Sequence, residues 1–126
     1  MELNDYQERA METCMPSCEN FSYMMLNLVG EVGEFASKVA KSIRKEHLMI
    51  GGAEGFENML AHQTMTKGEI METIELLKYE AGDILWQLAG LCEVMNWTLE
   101  EVAQTNLDKL ASRKKRGVIE GNGDKR

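Results

Sequence analysis

Apolar residues between positions 66 and 95 recur with a helical period. Ile70, Ile74, Leu77, Ala81, Ile84, Leu88, Leu91 and Met95 are spaced alternately four and three apart. That spacing keeps one face of an α-helix apolar for about seven turns, and no strand of ordinary length sustains it. Thr66 and Glu69 stand at its start as a capping box, and Asn96 and Trp97 break it. A second stripe, Phe21, Met25, Leu28, Val32, Phe35 and Val39, predicts another long helix from about Glu19 to Lys45. Thr98 and Glu101 form a second capping box, opening a helix to about Arg116 that Gly117 stops. A short first helix is predicted from an Asn4 cap to about Cys14, ended by Pro16.

Composition agrees with these elements. Ala, Leu, Met, Glu, Lys, Arg and Gln make up 67 of the 126 residues, and Val, Ile and Thr only 18. The expected fold class is therefore all-α, four helices in one domain over residues 1–117. Residues 46–66 break the period and carry Gly51, Gly52 and Gly55, with a short helix expected around Phe56 to His62. A connection this long inside a small domain points to a functional or mobile element. The last nine residues have no period and are expected to form an extended tail, 118–126.

The chain has no apolar run long enough to span a membrane, and its first residues are too polar for a secretion signal. A cytoplasmic setting is expected. Cys14, Cys18 and Cys92 are odd in number, and a zinc site would need both His47 and His62, so free thiols are expected. The net charge of −7 is uneven: residues 1–108 carry seven bases and nineteen acids, whereas residues 109–126 carry seven bases and two acids. An acidic body does not suit duplex-nucleic-acid binding, but it suits cations, with a basic end for phosphate. A solvated acidic surface explains the same numbers.

Two acidic pairs stand out, Glu31-x-x-Glu34 and Glu80-x-x-Asp83. A spacing of three puts both carboxylates of a pair on one helix face. Each first acid is followed by apolar stripe residues at +1 and +4. If the stripes pack antiparallel, four carboxylates meet beside the seam. Such crowding calls for protons or cations, and hard oxygen donors suit Mg²⁺ or Mn²⁺. Gly30, Gly33 and Gly82 adjoin these acids, and each costs its helix about 1 kcal/mol relative to alanine. Close helix approach, or room for a ligand, would offset that cost. Ordinary surface glutamates also occur at this spacing, as in Glu69-x-x-Glu72, and Glu34 with Lys38 makes a routine helical ion pair. A di-iron site is disfavoured because neither histidine follows a glutamate by three. On the last helix, Asn106, Lys109 and Arg113 share a face. They suit a polyphosphate, although bases at a helix C-terminus also simply complement the macrodipole.

The segments LVGEVGEFASKV (28–39), YEAGDILWQLAGL (79–91) and NLDKLASRKKRGVIEGNGDKR (106–126) resemble the MazG-like nucleotide pyrophosphohydrolases, a branch of the all-α NTP pyrophosphatases. The likeness is greatest to single-domain members from phages and bacteria. It implies Mg²⁺, with Mn²⁺ a substitute, held by Glu31, Glu34, Glu80 and Asp83, one of which also activates water. It implies cleavage of a (d)NTP to a nucleoside monophosphate and pyrophosphate, with Asn106, Lys109 and Arg113 at the substrate. A nucleotide-pool role and a homodimer or homotetramer follow from the same resemblance, with neither nucleic acid nor membrane as partner. The 45 residues between Glu34 and Glu80 exceed the spacing of compact members, and the excess maps to 46–66. A catalytically idle helical scaffold and an alarmone-directed hydrolase of the same fold are the competing functions.

Overall fold

A computed structural model describes residues 1–49 and 55–125 of the chain. Gly51, Gly52 and Arg126 lie outside the described residues. Among the described residues the protein is all-helical, with four long helices and one short turn of α-helix. They are α1 (Leu3–Met11), α2 (Phe21–Arg44), α3 (Phe56–Met59), α4 (Lys67–Val94) and α5 (Leu99–Arg116). No strand occurs among the described residues, and no helix there is long and apolar enough to cross a membrane.

Local chemistry sets most helix ends. The Thr66 hydroxyl accepts from Glu69 N at 3.1 Å and the Thr98 hydroxyl from Glu101 N at 3.1 Å, satisfying amides that a helix start leaves open. Asn20 caps α2 through Tyr23 N at 2.8 Å. Gly117 closes α5 with φ +71°, a left-handed conformation that costs glycine little.

The start of the chain departs from expectation. Glu2, not Asn4, sits at the α1 N-cap and provides no side-chain cap. Asn4 lies inside α1, and its Oδ1 accepts from Glu100 N at 3.2 Å, so it caps α5 from across the fold. The helix ends at Met11, and Pro16 opens a 3₁₀ turn rather than terminating α1.

Buried Gln7 fastens α1 to the α4–α5 corner. Its Nε2 donates to Glu93 Oε2 and to Trp97 O, both at 3.0 Å, and its Oε1 accepts from Leu99 N at 2.7 Å. Trp86 Nε1 adds bonds to Ala10 O at 3.1 Å and the Thr13 hydroxyl at 2.9 Å. Ala89, Cys92 and Leu99 form the apolar core beneath, with Tyr6, Met11 and Val102 against them. Gln7→Leu preserves bulk but leaves a buried amide and a carbonyl unpaired. It should destabilise the fold by about 2–3 kcal/mol, read as a lower urea midpoint at unchanged slope.

The apolar stripes fill the seam between α2 and α4 only in part. Only Met24 of α2 is buried, while Phe21, Met25 and Val32 are exposed. On α4 the buried set includes Thr73, Leu77, Glu80 and Gln87, whereas Ala81, Leu88 and the C-cap residue Met95 are exposed. The two helices therefore meet along a partly polar line, and much of the apolar surface of α2 is left uncovered.

The 46–66 connection has structure of its own. Leu48 and Leu60 form an isolated antiparallel bridge, with Met49 N to Met59 O at 2.8 Å and Ala61 N to His47 O at 2.9 Å. This pairing ends the short helix at Met59, earlier than the expected His62. Leu48, Leu60 and Met65 make a second small core against Val39, Ile43, Ile70 and Ile74.

Candidate functional site

The α2–α4 seam brings together acids far apart in sequence. Ligand atoms of Glu31, Glu80 and Asp83 all lie within 4.8 Å of one another. Glu80 is buried, Glu31 half-buried and Asp83 exposed, so the cluster opens from the seam to the surface. Glu34, the fourth acid of the two pairs, is exposed and stands outside this close group. Its charge still reaches Glu31. Burial pushes the Glu31 carboxyl above its usual range, and the charges of Glu34, Asp83 and Glu80 push the same way, against the Asn27 hydrogen bond.

The Glu80 oxygens differ. Oε1 pairs with Lys38 Nζ at 3.1 Å, whereas Oε2 is buried and has no hydrogen-bond partner. A buried carboxylate oxygen without a donor is costly. A hard divalent cation answers that cost and the crowding of charge together, so the donor set fits Mg²⁺ or Mn²⁺. The Lys38 contact was not legible from spacing. The sequence suggests a Glu34–Lys38 pair along one helix, but Lys38 reaches across to Glu80. Asn27 Nδ2 holds Glu31 Oε1 at 3.2 Å, one helical turn away. Tyr6 of α1 is a further neighbour: its phenol is pushed up mainly by burial and then by the charge of Asp83.

The glycines flank open space. An added Cβ would meet nothing within 4 Å at Gly33 or Gly82, and at Gly30 only Asn27 Oδ1 at 3.6 Å. Close helix approach within the chain does not account for Gly33 and Gly82. Gly82→Ala should therefore stabilise the isolated fold by about 0.5–1 kcal/mol through helix propensity. If that space receives substrate, the same change lowers activity, and thermal melts paired with hydrolysis rates separate the two effects.

Beyond Lys38, α2 and α4 enclose a cleft of about 200 Å³ lined by Lys38, Lys41, Lys45, His47, Glu69 and Thr73. His47 Nε2 stands 3.7 Å from Glu69 Oε2 across it.

The residues proposed for substrate sit on α5. Asn106 is exposed, Lys109 half-buried and Arg113 only 5% exposed. Residues 118–125, expected to extend away, turn back onto this face. Asp124 Oδ1 lies 3.2 Å from Arg113 Nη2 and 3.4 Å from Lys109 Nζ. The three cysteines are free thiols.

Known proteins resemble this chain over most of its length. Residues 19–118 match the MazG nucleotide pyrophosphohydrolase domain, a span that contains both acidic pairs and the basic face of α5. The Gene 37 protein of Mycobacterium phage L5 is 35% identical over 133 residues, covering the whole of both chains. No solved structure matches. With four long helices, a carboxylate cluster in the α2–α4 seam and a matched span covering most of its length, the chain belongs to the MazG nucleotide pyrophosphohydrolase family.

Proposed function

We propose that this protein is a Mg²⁺-dependent nucleoside triphosphate pyrophosphohydrolase, converting a (d)NTP and water to the monophosphate and pyrophosphate in nucleotide-pool cleansing. The carrying observation is the close group of Glu31, Glu80 and Asp83, in which Glu80 also has a buried oxygen, Oε2, without a hydrogen-bond partner. Family membership supplies the reaction class.

Glu31, Glu80 and Asp83 would hold the cation, with Glu34 completing the set from the rim. A bound Mg²⁺ supplies neutralisation of the triphosphate charge and a water of lowered pKa. The chain's own residues do the rest. Asn27 orients Glu31, and Lys38 holds one Glu80 oxygen in place, leaving the other for the cation. One of the four acids, Glu34 in this reading, would also take the proton of the attacking water. Lys109 and Arg113 stabilise the departing pyrophosphate, the guanidinium through paired hydrogen bonds, and Asn106 contacts the nucleotide. Residues 1–117 are the catalytic unit in this reading.

The uncovered face of α2 supports assembly into a homodimer or homotetramer. Phe21, Leu26, Val29 and Val32 are 53%, 75%, 68% and 50% exposed, and Tyr79 on α4 is 64% exposed. Apolar side chains gathered so densely on one helix mark a contact surface. Light scattering should give two or four chains per particle, and a strict monomer at micromolar concentration contradicts the assembly. A panel of canonical and modified (d)NTPs, assayed for pyrophosphate with Mg²⁺ and with Mn²⁺, tests the activity and ranks substrates. Absence of pyrophosphate across the whole panel contradicts it.

A further inference from the structure

The basic face of α5 already has an occupant. Gly117 reverses the chain at the end of α5, and Gly123, with φ +81°, turns it again. Val118 N bonds Arg113 O at 3.0 Å, and Gly121 N bonds Val118 O at 3.1 Å, so the return is a series of tight turns. Its end delivers Asp124 Oδ1 to both Arg113 and Lys109, and the Gly123 carbonyl accepts from Arg113 Nη2 at 3.2 Å.

The two sides of this contact are unequal. The Arg113 side chain is only 6% exposed, which fixes its guanidinium, and its Nε is buried with no acceptor. Asp124 is 86% exposed, and its carboxylate is held through these two ion pairs. A fixed guanidinium with a partly exposed ammonium beside it, facing an exposed carboxylate, forms an anion site with a displaceable occupant. Exposed ion pairs are weak, so a ligand with more charge and more acceptor oxygens wins the site. The cations hold the Asp124 carboxyl below its usual range, chiefly through the Arg113 hydrogen bond, so it stays charged at neutral pH.

We propose that Asp124 is a tethered competitor for the phosphate groups that Lys109 and Arg113 bind, and that pyrophosphate or the triphosphate chain must displace the tail to engage them. This rests on the reading that these two residues meet substrate phosphate. The tail thereby lowers affinity for substrate and for the pyrophosphate product alike. A site free only part of the time binds its ligand more weakly in proportion to that fraction. A tail docked for about 70–90% of the time reduces affinity roughly three- to tenfold.

The test uses the full chain and inorganic pyrophosphate as the probe, titrated calorimetrically in EDTA so that the carboxylate cluster takes no part. Asp124→Asn and Asp124→Ala should each bind pyrophosphate about three to ten times more tightly than the parent. Lys109→Gln should weaken binding, and adding Asp124→Asn to it should restore little. Equal or weaker binding by both Asp124 variants, or no binding by any protein, overturns the proposal. Mg²⁺-dependent NTP hydrolysis by the same proteins is scored separately. Hydrolysis by the parent with unchanged pyrophosphate affinity in the variants overturns the tail's role alone. Tightened binding with no hydrolysis supports the tail's role and overturns the catalytic reading.

Discussion

Glu80→Gln is expected to abolish pyrophosphate release while leaving the helical circular dichroism intact. The amide matches the carboxylate in size, so the α2–α4 seam keeps its packing. Lys38 loses its ion partner but is 41% exposed and turns to water at little cost. What disappears is the anionic oxygen that has no partner in the seam. Residues one layer outside a metal commonly cost ten- to a hundredfold when replaced, so loss of a direct ligand should cost about a hundredfold or more. Asp83→Asn should behave alike, since Asp83 completes the close group at its exposed end. Full activity in both variants removes the cluster from the reaction.

The second large effect is on stability. At 100 times its dissociation constant, a cation that binds only the folded chain adds about 2.7 kcal/mol, which corresponds to a rise of roughly 10 °C in Tm for a domain of this size. Glu80→Gln and Asp83→Asn should lose most of that rise. Glu31→Gln should behave in a contrasting way. The raised Glu31 carboxyl means that folding favours its protonated form. Its favourable contribution is complete below the unfolded pKa and is lost as pH climbs through the folded one. At neutral pH the charged group is a burden on the metal-free fold. Glu31→Gln should thus melt higher than the parent in EDTA and gain less from Mg²⁺. Scanning calorimetry with and without metal reads both, and a cation-independent Tm in the parent contradicts a metal centre in the seam.

Features encoded within a few residues were legible in the sequence. The Thr66 and Thr98 caps, the Gly117 stop and the long helices they bound depend on neighbours in the chain, and they fall where their patterns put them. The acidic pairs were legible in part: Glu80 and Asp83 do meet Glu31, whereas Glu34 stands outside the close group. Contacts between distant elements were not. Asn4 looks like a local cap but serves α5, and Lys38 looks like a partner for Glu34 but serves Glu80. Asp124 on Arg113 depends on a chain reversal that no short pattern announces.

The stripe on α2 shows a different limit. Periodicity reveals that a helix has an apolar face, but not whether its own chain covers that face. Phe21 and Val32 satisfy the period and remain exposed, while Glu80, read as lying beside the seam, is buried within it. The glycine pattern was informative only in part. It marked the neighbourhood of the acids, and the geometry then separated room from close approach, because Gly33 and Gly82 face empty space.

The most direct measurement is the ³¹P spectrum of the products after incubating the full-length protein with a nucleoside triphosphate and Mg²⁺. The account predicts resonances of the monophosphate and of pyrophosphate, absent when EDTA replaces Mg²⁺ and absent with Glu80→Gln. Nucleoside diphosphate with orthophosphate, or unchanged triphosphate across the substrate panel, would contradict it.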